Sequence, residues 1–284
     1  MAHALQERYS KLVLEKLRKT LVTKDGYIFN TRYEGDPKAG AVKIPTRAEM
    51  TALSYSKSAG LTATQKDTTY VTMNIDKDVA VNEIIDGYDA AAVPDGIVAE
   101  RLDSAGYALA KDMDTKCIAI LENGGTVMSS KTASTKSNIF SAILDADQAL
   151  TEADVPTDGR YLIVSPAVKV LLMKSDEFVK DSDLGQSFLM TGAIGQIDGF
   201  NVYVSNNMMK DDTTVTSGKK TTTEFIAGHP MCATRAMEFS VPVKLRDLTG
   251  NFIGASQIVG RQVWGGKVTH EAGIVIKRTE AAAS

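Results

Sequence analysis

The sequence predicts an α+β chain, and three features predict it. The run 93–122 repeats apolar residues at helical spacing. Short runs at 41–45, 68–73, 161–164, 199–204 and 273–277 carry the β-branched and aromatic residues, or the alternation, of strands. Helices and strands then follow one another without strict βαβ order, which argues against a doubly wound parallel sheet.

Residues 4–22 read as a helix. Leu5, Tyr9, Leu12, Val13, Leu17, Leu21 and Val22 recur at spacings of three and four, opposite Arg8, Lys11, Lys16, Arg18 and Lys19. Asp25-Gly26 ends it. The stretch fits an amphipathic helix with a solvated basic face, or an arm lying on a neighbouring subunit.

Residues 31–72 are rich in Thr, Ser, Ala and Lys and poor in large apolar side chains. Strand-like runs at 41–45 and 68–73 bracket them, and Pro45 suits an edge strand. Tyr55-Ser56-Lys57-Ser58-Ala59-Gly60-Leu61 has little to bury. Such a segment does not offset its ordering entropy against its own domain. It reads as a disordered loop or a long hairpin that gains its contacts from another chain, and the alternation at 68–73 favours the hairpin.

The run 93–122 predicts the longest helix. Pro94 fits the first helical position, and Val98, Leu102, Ala105, Leu109, Met113, Cys117 and Ile120 form one face. Asn123-Gly124-Gly125 stops it. At about 1.5 Å per residue the run spans roughly 45 Å, the length of a spine along one edge. The stretch 76–114 holds ten acidic and three basic residues, whereas 244–278 holds six basic and two acidic. The two stretches are expected to attract one another, within a chain or between chains.

Further on, Ser137 or Asn138 is expected to cap a helix carrying Ile139, Ile143, Ala146 and Leu150. Tyr161-Leu162-Ile163-Val164 reads as a buried strand. Ser165-Pro166 starts a helix with Val168, Leu171 and Leu172. Residues 199–204 form the next strand, 210–223 a polar loop, and 225–227 a short strand. Residues 241–246 and 256–278 complete the strands, with His270 among them.

Composition narrows the function. The 284 residues are 43% hydrophobic and 24% charged, which excludes disorder throughout. A net charge of −3 argues against a dedicated DNA-binding domain. No apolar run is long enough to span a bilayer, so no membrane is expected. The start of the chain lacks the pattern of a secretory signal, so folding in a cytoplasm is expected. Cys117 and Cys232 form no CxxC pair, and Cys117 falls on the apolar face of the spine.

Catalytic chemistry finds no constellation. His3, His229 and His270 have no metal-ligand spacing, and no GxSxG elbow supplies a serine nucleophile. The glycine-rich stretch 192–199 fits a turn into a strand better than a phosphate loop. Asp211-Asp212 and Asp145 with Asp147 sit in polar stretches, where solvated charge is the simplest account. No cofactor is expected, and the chain reads as a non-enzyme.

The order of these elements resembles the major capsid protein of tailed bacteriophages, with the Hong Kong 97 fold. The most specific stretch is Gly159-Arg160-Tyr161-Leu162-Ile163-Val164-Ser165-Pro166 with the helix around Leu171-Leu172-Met173. It continues through Thr191-Gly192 and Gly195-Gln196-Ile197-Asp198-Gly199-Phe200-Asn201-Val202-Tyr203-Val204-Ser205. The tail from Gly260-Arg261 through Lys277-Arg278 resembles the last strands of the peripheral domain.

The resemblance implies the following layout: an N-terminal arm over 1–30, an extended E-loop over 31–72, and a peripheral domain over 73–137 with its spine at 93–122. An axial domain over 138–240 follows, then a return to the peripheral sheet over 241–284. It implies inter-subunit contacts at Lys43, Tyr55, Lys57, Lys66 and Tyr70 of the E-loop, and at Leu12 and Leu17 of the arm. Asp211 and Lys219 would lie on a loop at the capsomer axis or outer surface, and Gly60 and Gly87 would be hinges. Some relatives join an E-loop lysine to a neighbour's Asn, for which Lys43, Lys57 and Lys66 are the lysines available. The implied partners are the chain itself, as homo-hexamers and homo-pentamers, with a separate scaffolding protein, a portal and a decoration protein. Contact with packaged double-stranded DNA would be non-specific, in a virion capsid assembled in the host cytoplasm. A bacterial nanocompartment shell of the same fold, a phage tail or adaptor protein, and an enzyme with an unrecognised site are the competing readings.

Overall fold

The computed structural model describes residues 18–19, 21–23, 25–33, 40–47, 50–58, 60–61, 66–88, 97–175, 195–248 and 253–282. In chain order these give β1 (Ala41–Arg47), β2 (Thr68–Asn74), β3 (Lys77–Ile85), α1 (Ile97–Gly124) and β4 (Thr126–Val127). Then come α2 (Ile139–Glu152), β5 (Tyr161–Val164), α3 (Pro166–Lys174), β6 (Gln196–Ile197) and β7 (Phe200–Val204). The chain closes with β8 (Lys219–Gly228), β9 (Ala233–Asp247), β10 (Ser256–Val268) and β11 (Ile274–Ala282). Short 3₁₀ turns at Pro230–Cys232 and Glu271–Gly273 precede β9 and β11.

A six-stranded mixed sheet, ordered β4-β11-β8-β5-β7-β6, is the centre of the molecule. Strand alternation sends its side chains to two cores. Tyr161, Ile163, Ile226, Ile274 and Ile276 face one way and meet Cys117, Ile118 and Leu121 of α1, with Val22, Ile28 and Phe29 of the N-terminal segment. Leu162, Val164, Phe225, Ala227 and Val275 face the other way, onto Ile139, Ile143, Ala146 and Leu150 of α2 and Val168 and Leu172 of α3. Each Val, Leu, Ile or Phe among them contributes roughly 1.5–3 kcal/mol when fully buried. The continuous apolar run at 161–164 is the signature of a strand covered on both faces.

A three-stranded antiparallel sheet, β3-β10-β9, packs against α1. Gly260 of β10 lies under the spine, where a β-carbon would come within 3.1 Å of Leu109 Cδ1. The acidic and basic stretches meet here: Arg261 of β10 pairs with Asp78 of β3. This contact between the two stretches lies within one chain. Antiparallel β1 and β2 form a separate two-stranded sheet.

Several local expectations change. Residues 18–19 and 21–23 are not helical. The Val22 and Thr23 N–H groups donate to Asp114 and the Lys19 N–H to Tyr107, so their partners lie on α1 and not on a preceding turn. The rest of the expected 4–22 helix, with Leu12 and Leu17, lies outside the described residues, as does Pro94. The spine ends at Gly124, where a β-carbon would lie 2.6 Å from Val268 Cγ2, so glycine lets the helix end approach β10. Asn138 occupies the N-cap of α2, but its side chain accepts from the Thr135 N–H at 2.6 Å and not from the helix. The Ser165 hydroxyl does cap α3, accepting from the Val168 N–H.

The expected loop at 210–223 is shorter than predicted, because β8 begins at Lys219. Thr221 and Thr223 are buried there against the C-terminal half of β11. His270 is not in a strand; it heads the 3₁₀ turn Glu271–Gly273. That turn moves the chain from the three-stranded sheet into the six-stranded one. β9 runs through position 240, and β11 and β4 share a sheet with β5, β7 and β8.

Candidate assembly surface

The β1–β2 hairpin leaves the body with little cover of its own. The strands are in register from Ala41 opposite Asn74 to Arg47 opposite Thr68. Only Ile44 and Met73 of the pair are buried, in a small cluster with Ala236 of β9. Beyond them Met50 is 96%, Tyr55 70% and Tyr70 62% exposed, and Leu53 and Leu61 are exposed as well. Large apolar side chains left in water at one end of a ribbon mark a contact surface.

The hairpin base is fixed at three points. Met73 and Ile44 pack on Ala236. Lys267 Nζ donates to the Thr72 carbonyl at 2.9 Å. The chain between β2 and β3 crosses β10 at Gly265, where a β-carbon would lie 2.2 Å from the Asn74 carbonyl oxygen and 2.9 Å from Ile75 Cα. At the far end, Gly60 has φ +64° and donates its N–H to the Ser56 carbonyl at 2.9 Å, closing a tight turn. Lys43 and Lys57 are exposed and make no ion pair among the described residues, while Lys66 Nζ reaches Thr51 Oγ1 at 3.5 Å.

The N-terminal segment is fixed by a residue the sequence reading passes over. Asp114 of α1 is 2% exposed. Its Oδ1 accepts the Val22 and Thr23 N–H groups, each at 2.8 Å, and the Thr23 hydroxyl at 2.9 Å. Its Oδ2 accepts Asn207 Nδ2 at 2.6 Å. Further up the spine Arg18 pairs with Asp103 at 2.5 Å and stacks over the Tyr107 ring. Arg235 of β9 pairs with Asp25.

Asp211 and Lys219 lie at one end of the six-stranded sheet. Asp211 has φ +49° and its N–H donates to Thr222 Oγ1 at 3.0 Å. Asp212 accepts from the Thr214 N–H and hydroxyl, which hold its carboxyl below the usual range. Lys219 Nζ pairs with Glu280 Oε2 at 2.7 Å, and Lys131 pairs with the other oxygen. Those two hydrogen bonds lower the Glu280 pKa to about 2. Gly87 packs so tightly that a β-carbon would lie 2.2 Å from the Gly254 carbonyl oxygen.

The carboxylates weighed for catalysis divide. Asp147 is no solvated charge: it pairs with Arg160, which is 1% exposed and also donates to Pro156 O at 2.9 Å and Thr151 Oγ1 at 3.1 Å. Its role is to neutralise a buried guanidinium. No group of three or more His, Cys, Asp or Glu able to hold a metal occurs among the described residues. No described helix is long and apolar enough to cross a membrane. Burial raises the Cys117 and Cys232 pKa values to about 11, which keeps both as thiols.

Comparisons with known proteins agree with this geometry. The family described as phage capsid protein matches residues 83–283, so the chain belongs to the phage capsid protein family. Among solved structures, it is similar to a chain of Mycobacterium phage Che8 at 25% identity, covering 96% of each chain with a TM-score of 0.79. It is also similar to the capsid structure of cyanophage P-SCSP1u, at 16% identity over 98% of this chain and 93% of that one, TM-score 0.78. The mature capsid of bacteriophage PhiM1 matches at 14% identity over 94% and 92%, TM-score 0.66. No curated protein matches the sequence. The α+β fold is therefore a capsid fold and the chain a structural capsid subunit, in preference to a nanocompartment shell.

Proposed function

We propose that this chain builds an icosahedral phage head from hexamers and pentamers of itself, around double-stranded DNA. The observation that carries the proposal is the β1–β2 hairpin, which exposes Met50, Leu53, Tyr55, Leu61 and Tyr70 beyond an anchored base. Covering each by a neighbouring copy adds up to roughly 1.5–3 kcal/mol, and a closed shell repeats the contact by symmetry. In this reading 31–72 is the E-loop, 1–30 the N-terminal arm and α1 the spine of the peripheral domain.

Lys43, Lys57 and Lys66 then face the neighbour, and the sheet end bearing Asp211 and Lys219 lies at the capsomer axis or outer surface. Gly60 and Gly87 are the points of bending. A scaffolding protein, a portal and a decoration protein complete the assembly, which takes place in the host cytoplasm. The near-neutral charge suits a container that holds DNA without gripping it. The chain acts by assembly and not by catalysis, a reading supported by its family and by the buried, protonated thiols.

Expression of the full chain, followed by light scattering and negative-stain microscopy, tests this. Closed polyhedral shells, or uniform pentamers and hexamers, are expected, and shells recovered from infected cells hold nucleic acid. A chain that stays monomeric even with scaffold, or shells filled with an enzyme, overturns it.

A further inference from the structure

His229 heads the turn that holds the N-terminal segment. Its Nδ1 accepts the Met231 N–H at 3.1 Å, and its Nε2 lies 3.0 Å from the Asp158 carbonyl oxygen. A backbone N–H only donates, so Nδ1 carries no proton; a carbonyl only accepts, so Nε2 does. The two partners together select the neutral Nε2–H tautomer. The residue is buried, at 8% exposure.

The turn that this ring caps, Pro230–Cys232, and the first residue of β9 present their carbonyls to one side chain. Asn30 Nδ2 donates to Pro230 O at 2.9 Å, Met231 O at 3.3 Å and Ala233 O at 3.0 Å. The Asn30 main chain closes the same joint: its N–H donates to Ala233 O at 2.9 Å, and its carbonyl accepts the Arg235 N–H at 3.0 Å. Asn30 thus anchors 25–33 to the start of β9, and His229 shapes the anchor.

We propose that His229 is an acid-sensitive latch on the N-terminal segment. Protonation of Nδ1 sets one N–H against another, removes the acceptor of the Met231 N–H, and unseats the carbonyls that hold Asn30. Imidazole is the side chain whose charge changes between about pH 5 and 8. A depression of about 520 Å³ opens beside the ring. Arg32 and Tyr27 line it from the N-terminal segment, and uncharged Asn201 from β7. Asp158 faces the ring through its carbonyl, on a residue that is exposed. Arg32 is the charged side chain lining that depression. The consequence for a shell rests on the capsid reading above, since a released arm changes the surface a neighbour meets. The latch itself does not rest on it.

Hydrogen exchange at the Asn30 and Arg235 amides of the full-length chain tests the latch, with intrinsic rates corrected. It compares about pH 7.5 with about pH 5.5, toward the two ends of the imidazole range. His229→Asn keeps an acceptor for the Met231 N–H but has no charge change in that range. His229→Ala removes the cap. At the lower pH the wild-type amides are expected to exchange about fivefold faster or more, as loss of one cap implies. His229→Asn shows no such change, and His229→Ala is fast at both values. Equal acceleration in wild type and His229→Asn would assign the acid effect to groups other than His229 and overturn the proposal. So would a wild type that does not respond. Should His229→Ala fail to fold, the comparison of wild type with His229→Asn still decides.

Discussion

The carbonyl oxygen of Asn74 lies so close over Gly265 that a β-carbon there would stand 2.2 Å from it. This is where the chain passes from the hairpin into the three-stranded sheet, so the angle at which the hairpin leaves the body depends on a missing side chain. Gly265→Ala forces the crossing apart. The expected cost is about 1–3 kcal/mol, as for other overpacked sites, with a shift of the hairpin base. Denaturant unfolding measures the first, and protease sensitivity around 74–76 the second. An alanine variant as stable and as assembly-competent as wild type would show that the crossing does not set the angle.

Asp114 holds the N-terminal segment by three hydrogen bonds from Val22 and Thr23, and accepts a fourth from Asn207. Asp114→Ala leaves these donors without their acceptor in a buried place. A loss of roughly 2–4 kcal/mol is expected, since hydrogen bonds to a charged group are worth more than neutral ones and buried donors left unmade are costly. The variant should also expose 18–23 to protease before the body unfolds. Asp114→Asn retains one acceptor and should fall between the two.

Glu280 contributes to the acid limb of stability. Hydrogen bonds from Lys131 and Lys219 lower its carboxyl from 4.5 to about 2. The unfolded chain binds a proton there at higher pH than the native one does. The contribution is therefore complete above about 4.5 and lost as pH falls through about 2. Glu280→Gln should flatten the fall in stability across that window, in denaturant titrations at stepped pH. Because both lysines are about half exposed, added salt should shrink the effect.

Where the sequence was legible, local pattern and tertiary outcome agreed. The run 161–164 is apolar throughout because both faces are covered, and Ser165-Pro166 starts a helix by chemistry confined to four residues. The polar hairpin was legible because its lack of burial is itself the signal. Asp114 and Asp147 were not. Both sit among other acids or polar residues, and nothing local reveals that one meets the N-terminal backbone and the other a buried Arg160. β3 passes unnoticed because its half-buried Val79 and Val81 alternate with Asp78, Ala80 and Asn82 inside a stretch that reads as acidic. At 18–23 an apolar period of helical type occurs in the sequence, but the Lys19, Val22 and Thr23 N–H groups are taken by α1 instead, a choice made by contacts about ninety residues away.

The exposed hairpin end is the centre of the account, and a single comparison tests it. The triple variant Met50→Ser, Leu53→Ser and Tyr55→Ser is compared with wild type for thermal stability of the unassembled chain and for shell formation by light scattering and electron microscopy. Because these side chains are exposed in the single chain, stability should change by no more than about 0.5 kcal/mol for each. Assembly into closed shells should be lost. A triple variant that forms shells at the wild-type rate and yield would contradict the assignment of this hairpin as the contact between subunits.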